Sequence, residues 1–277
     1  AITNNTDKVI LNKCRVVGRQ DSFFGGHNSR VVVYKGTLMG STDFLFGGMT
    51  AVFYRTDLVM NTSDDSNYRS YLTAAQQSGG RGYLMYECQI KSALPEIETA
   101  SSYLSKPGYF GRPWQANTSE VVFYKTSIDT TNFPGATGQS LIVSQAWLNS
   151  LGGESPYMVE YGTIELSGVD NSSKRASWST VLNEPVLSDG TEITPFNFTK
   201  GDDGWDPLPG LIENDPSHNE NNSVGFMHKF LHLKVYGCYD TIFFNEVDLP
   251  TNIEIFSFDG RLVHRFNIDS TFELPIG

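Results

Sequence analysis

A register repeat of 22 residues near the N-terminus constrains the fold more than any other feature. Val9 aligns with Val31, Lys13 with Lys35, Gly18 with Gly40 and Asp21 with Asp43. A constant offset of this size, in strand-like sequence, predicts a solenoid whose coils stack. Asp21 and Asp43 would then lie one strand spacing apart, roughly 4.8 Å along the stack. Two carboxylates that close do not both ionise cheaply, so their pKa values should split. Either aspartate alone reads as a turn cap. In register, each beside glycines and aromatics, the pair reads as an acid and a nucleophile.

The repeat continues along the chain. LNKCRV, VYKGTL, FYRTDL, MYECQI and FYKTSI begin at residues 11, 33, 53, 85 and 123. Each opens apolar, carries a polar or aromatic second residue and closes on Val, Leu or Ile. This alternation is strand periodicity. Cys14 and Cys88 share the fourth position, where a small apolar side chain is expected to point inward. The steps lengthen from 22 and 20 to 32 and 38 residues, which implies loops inserted between coils. Strands repeated without intervening helices predict an all-β parallel β-helix rather than a βαβ sheet. One stretch conflicts: Tyr68, Tyr71, Leu72 and Ala75 have helical spacing. The coil pattern instead makes Tyr71–Gln77 a strand.

Residues 91–114 form the longest early insertion and end on Gly111-Arg112-Pro113-Trp114. Pro113 biases Arg112 toward an extended conformation, from which it can be aimed into a cleft. From 129 to 210 the repeat fades, and GDDGWDPLPG at 201–210 reads as a terminating loop. Residues 211–224 are polar and read as a linker. Short alternating strands follow in 225–277, with Asp259–Gly260 as a hairpin signal. His228 and His232 are four apart, a metal pair on a helix. Alternation favours a strand here, and no metal site is expected.

Composition narrows the function. Aromatic residues make up 13% and charged residues 18% of the 277, which suits a β-rich extracellular protein. A net charge of −11 argues against nucleic acid, whose binding neutralises phosphates with Lys and Arg. It argues equally against an anionic membrane, and toward an acidic polysaccharide it offers no long-range attraction. Recognition of such a polymer has to be local. Three cysteines, Cys14, Cys88 and Cys238, make no disulfide framework. No run of about 20 apolar residues is present to span a membrane.

Three motifs carry a resemblance: QDSFF at 20–24, DFLFG at 43–47 and GRPW at 111–114. AWLNS at 146–150, EYGTIELSG at 160–168 and RASW at 175–178 extend it. In order and separation they resemble the pectin methylesterases, over residues 1 to about 210. The resemblance implies a right-handed parallel β-helix over 1–210 with its first coils absent. It implies methyl-ester hydrolysis on galacturonate in pectin, without metal or organic cofactor. Asp43 matches the nucleophile, Asp21 the general acid, Arg112 the arginine that holds Asp43, and Gln20 one of two glutamines facing the oxyanion. The second would precede residue 1, and loss of one such donor costs roughly 100- to 1000-fold in rate. Trp114, Phe46 and Trp147 are the candidate sugar-binding rings, Trp147 having core packing as its alternative. Residues 225–277 resemble a C-terminal secretion-sorting domain, a small β-sandwich cut short, implying a secreted, periplasmic or cell-surface protein. A lyase, a polygalacturonase or a non-catalytic pectin-binding module are the rival readings.

Overall fold

The computed structural model describes residues 1–61, 68–94, 106–131 and 136–215, together with the strands Lys234–Cys238, Thr241–Asn245, Thr251–Phe256, Leu262–Ile268 and Phe272–Pro275. The chain forms two compact units, Ala1–His218 and Asn219–Gly277.

The first unit is a parallel β-helix with three sheets. The first sheet stacks Ile2–Asn4, Phe23–Gly25, Leu45–Gly47, Arg69–Ala75 and Lys106–Gly111. The second has seven strands, from Val9–Asn12 to Thr180–Val181, and the third six, from Arg15–Val17 to Ile164–Glu165. Every pairing among them is parallel, and the register is the one the repeat predicts: Leu11 on Val33, Val33 on Phe53, Phe53 on Met85, Met85 on Phe123. The last four of these five side chains are wholly buried. The strand Arg69–Ala75 overrides the helical spacing around Tyr71. Its backbone pairs on both sides, with Leu45–Gly47 and with Lys106–Gly111.

The remaining positions of the repeat acquire separate jobs. Second-position rings Tyr34, Tyr54, Tyr86 and Tyr124 stack in a ladder that Tyr161 extends, with centroids 4.6–5.6 Å apart. Third-position residues Lys13, Lys35, Arg55, Glu87 and Lys125 turn the corner between sheets at φ of 46–53°. Left-handed backbone costs an L-residue about 1–2 kcal/mol, and the stacked coils hold it. At the fourth position, Thr56 and Thr126 donate to the carbonyls of Val33 and Met85, and the Cys88 thiol donates to that of Phe53 at 3.0 Å. Cys88 is buried as expected, and burial pushes its thiol up to about 12. Cys14 is not: it lies exposed on the outermost described coil.

Residues 182–215 lie against the outer face of the second sheet. Leu187, Ile193, Phe198 and Leu208 are buried against Val32, Val52, Leu84 and Val122. Helix α1, Pro195–Thr199, is capped by the Thr194 hydroxyl accepting from the Asn197 amide at 3.2 Å. Helix α2, Leu208–Glu213, crosses the point where the sequence suggests a linker begins. Its Leu208, Leu211 and Ile212 pack inward. Beyond it the buried Asp215 carboxylate accepts from Lys13 Nζ at 2.8 Å, Lys35 Nζ at 2.6 Å and the Tyr34 hydroxyl at 2.8 Å.

Trp147 is a correction. It is 1% exposed and sits edge-on to Phe110 and Phe123, at 5.5 and 5.9 Å, inside the helix core. A ring enclosed on its faces cannot stack on a sugar.

In the second unit, Lys234–Cys238, Thr241–Asn245 and Phe272–Pro275 form an antiparallel sheet, and Thr251–Phe256 pairs antiparallel with Leu262–Ile268. Asp259–Gly260 falls between the last two, outside the described residues, as do His228 and His232.

Candidate active site

Asp21 and Asp43 occupy equivalent places two residues before Phe23–Gly25 and Leu45–Gly47. Those strands pair Phe23 on Leu45, and the Asp21 amide donates to the Thr42 carbonyl at 3.0 Å. The carboxylates therefore belong to adjacent coils on one outer face. Both residues are left-handed, at φ of 52° and 48°, strain of a kind that collects at functional sites. The turn into Asp43 requires Gly40, because a Cβ there would lie 2.2 Å from the Phe44 Cβ.

Arg112 reaches Asp43 from a different coil. Its Nε donates to Oδ1 at 2.9 Å and its Nη2 to Oδ2 at 2.7 Å. This two-pronged geometry is the strong form of an arginine–carboxylate pair. Asp43 is 6% exposed overall. Local packing explains why Arg112 points there. Its amide donates to the Thr73 carbonyl at 3.0 Å, an approach so close that a Cβ on Gly111 would lie 2.0 Å from Thr73 Oγ1. The Leu148 amide donates to the Gly111 carbonyl, and Gly152 to Pro113. Thus the segment carrying Trp147 braces the arginine loop instead of lining the cleft. Ser150 Oγ accepts from Arg112 Nη1 at 3.4 Å.

The electrostatics single out Asp21. Burial raises the Asp21 pKa first and the Asp43 charge raises it second, while a Gln20 hydrogen bond and the Arg112 charge oppose both. The sequence argument credited the like charge alone. Asp43's hydrogen bonds hold Arg112 all the more firmly in its charged form.

Phe24 and Phe46 lie 5.0 Å apart, and Phe46 stacks with Trp114 at 6.1 Å. Trp114 is 38% exposed. Asp21, Asp43, Gln20, Arg112, Phe46 and Trp114 thus come from the same few coils, and Trp147 does not join them. Phe24 was missed, although the repeat pointed to it: it stands 22 residues before Phe46. Tyr71 was missed as well. Its ring lies 4.4 Å beneath the Arg112 guanidinium and stacks on Tyr109 at 5.2 Å. The insertion before it shifts the offset and hides its place in the Asp21–Asp43 column. Among the described residues, no three His, Cys, Asp or Glu side chains converge on a common point.

The sequence profile of the pectinesterase family matches residues 1–202. The chain belongs to that family. Curated relatives include the probable pectinesterase/pectinesterase inhibitor 36 of Arabidopsis thaliana, 27% identical over 218 residues, or 76% of this chain and 38% of that protein. Pectinesterase 2.1 of Solanum lycopersicum is 25% identical over 205 residues, 72% of this chain and 34% of that protein. The chain therefore spans little more than a third of these relatives. Among solved structures, the pectin methylesterase from carrot superposes with a TM-score of 0.52 at 21% identity, over 68% of this chain and 55% of that one. A pectin methylesterase from Aspergillus niger gives 0.53 at 18%, over 72% and 56%. They share the right-handed parallel β-helix of this pectinesterase-family chain.

Proposed function

We propose that the protein hydrolyses methyl esters of galacturonate in pectin, releasing methanol, with Asp43 as nucleophile and Asp21 as general acid. The observation that carries this reading is the buried Asp43 gripped at both oxygens by Arg112 one coil from Asp21. Two parallel N–H···O bonds of this kind fix the orientation of the carboxylate.

An Asp43 oxygen attacks the ester carbonyl at C6, and the carbonyl oxygen becomes an oxyanion. The Gln20 amide donates to it. When the tetrahedral adduct collapses, the bond to the methoxy oxygen breaks. Asp21 gives that oxygen its proton, and methanol leaves. The remaining anhydride joins the galacturonyl carbonyl to Asp43. Water then attacks that carbonyl, Asp21 takes the proton, and the acid departs with Asp43 restored as carboxylate. Asp21 has to begin protonated, which the upward shift of its pKa assists. Phe24, Phe46 and Trp114 offer apolar faces for pyranose rings beside these groups.

No described helix is long and apolar enough to cross a membrane. A polymer substrate outside the cytoplasm fits a secreted, periplasmic or cell-surface location.

The test is methanol release from highly methylated pectin by the intact protein and by an Asp43→Ala variant of matching circular dichroism. The reading expects methanol from the first and a loss of at least 1000-fold in the second, as for other catalytic nucleophiles. Unsaturated sugars or new reducing ends without methanol would replace it with a lyase or a polygalacturonase.

A further inference from the structure

Tyr68 and Tyr71, whose helical spacing conflicts with the coil pattern, both reach the Asp43 site. Tyr71 stands two residues before Thr73, as Asp43 stands two before Leu45, and Thr73 pairs with Leu45. On its other side Thr73 pairs with Gly111, the residue before Arg112. Tyr71 therefore belongs to the coil between the arginine and the aspartate. Two coil spacings, roughly 10 Å, separate the backbones that carry Arg112 and Asp43. The arginine side chain has to cross the intervening coil, and it crosses at Tyr71. The ring centroid lies 4.4 Å from the guanidinium carbon.

The ring is itself held. It stacks on Tyr109 with centroids 5.2 Å and planes 6° apart. Three residues earlier, the Tyr68 hydroxyl shares a hydrogen bond with that of Thr42, next to Asp43. A flat guanidinium over a flat ring gains cation–π attraction and keeps its edge free for a carboxylate. Burial, ahead of every other influence, raises the pKa of the Tyr71 phenol, so the ring stays neutral. The contact of Arg112 with Ser150 is long, 3.4 Å from Nη1 to Oγ. Asp43 cannot serve as the anchor throughout, because the proposed reaction consumes its charge. In the acyl-enzyme its carboxylate is a neutral anhydride, and the charge-assisted pair no longer exists. The guanidinium then needs another support until water frees the acid.

We propose that Tyr71 is a positioning residue for the esterase reaction. Its ring face keeps the Arg112 guanidinium where Nε and Nη2 meet Asp43, before attack and while the acyl-enzyme stands. The inference rests on the esterase reading for its chemistry. The support of Arg112 by the ring does not depend on that reading, so the two can be tested apart.

Steady-state methanol release from methylated pectin reads the effect on turnover. Tyr71→Leu, apolar but without a ring, should lose about tenfold or more in kcat, with KM within about threefold. Tyr71→Phe keeps the ring and should recover about a third or more of the unaltered kcat. In an Arg112→Ala background, adding Tyr71→Leu should cost less than about twofold more, because the ring acts only through the arginine. Should Tyr71→Leu misfold, Tyr71→Thr suits a strand and gives the same test. Crystal structures supply a readout apart from activity. In Asp43→Ala, which removes the anion, the guanidinium should stay over the ring. In Asp43→Ala/Tyr71→Leu it should leave that place. An unaltered kcat in Tyr71→Leu, or a full additive loss in the Arg112→Ala background, overturns the proposal. So does a guanidinium displaced equally in both crystal structures. If the unaltered protein releases no methanol, the esterase reading falls by itself. A guanidinium held in Asp43→Ala and lost in the double variant would still leave Tyr71 as its support.

Discussion

Asp21 faces two demands, and they leave a measurable trace. Burial and the charge of Asp43 disfavour its ionised form. Its folded pKa therefore exceeds the unfolded value of about 3.9. By linkage, its contribution to stability is fully present below that unfolded value and is lost as pH rises through the folded one. Asp21→Asn removes the loss, so it should raise the melting temperature at pH 7 and leave it nearly unchanged at pH 3, while abolishing methanol release. Calorimetry at the two pH values decides this. A stabilisation equal at both would show that Asp21 carries no such shift. The pair was legible because Asp21 and Asp43 share a 22-residue offset, and Phe24 was within reach of the same rule. Tyr71 was not, because the insertion after Met60 breaks the offset where its coil begins. Trp147 was misread for a different reason: an aromatic beside a motif looks the same in sequence whether it faces a sugar or Phe110.

At the scale of elements, the segments EYGTIELSG and RASW prove to be structural partners. Arg175 donates from Nε and Nη2 to the two oxygens of Glu160, at 2.9 and 3.0 Å, and lies 3.4 Å from Glu165. The three side chains are 2–5% exposed. Burial raises the Glu160 pKa even against the pull of Arg175. Arg175→Met should therefore leave two buried carboxylates uncompensated and cost about 3–5 kcal/mol at neutral pH. The sign follows from the same shift. With the cation gone, Glu160 titrates higher still, so the penalty shrinks as pH falls toward the unfolded glutamate value of about 4.3. Urea unfolding at pH 4.5 and 7.5 measures it, and Glu160→Gln added to Arg175→Met should restore part of the loss. An equal penalty at both pH values would mean that the cluster stabilises through packing alone. Sequence resemblance marked these residues, but it could not say that they join one coil to the next instead of touching substrate.

For the whole molecule, the sequence put the end of the β-helix at 210 and began a polar linker at 211, because Gly and Pro crowd that stretch. The physical signal to the contrary was present: Leu208, Leu211 and Ile212 stand at helical spacing behind Pro207. Their helix packs against the second sheet, and Asp215 beyond it ties down Lys13, Lys35 and Tyr34 from the first two coils. The tail to residue 215 is thus a strap across the solenoid, and the compact unit runs to His218. Two shortened chains separate strap from appendage. Ending the chain after His218 keeps the strap whole and should leave the main melting transition within a few degrees of the intact protein. Ending it after Asp206 removes α2 and Asp215, uncovers Tyr34 and leaves the two lysines without the buried carboxylate. The lysines left behind are partly exposed, so the loss falls on the apolar contacts of α2, where burying a leucine such as Leu208 contributes about 1.5–3 kcal/mol. At a domain of this size each kcal/mol is roughly 2–4 °C, so the second truncation should melt about 3–12 °C lower. If both shortened chains melt alike, the strap does not stabilise the coils it crosses.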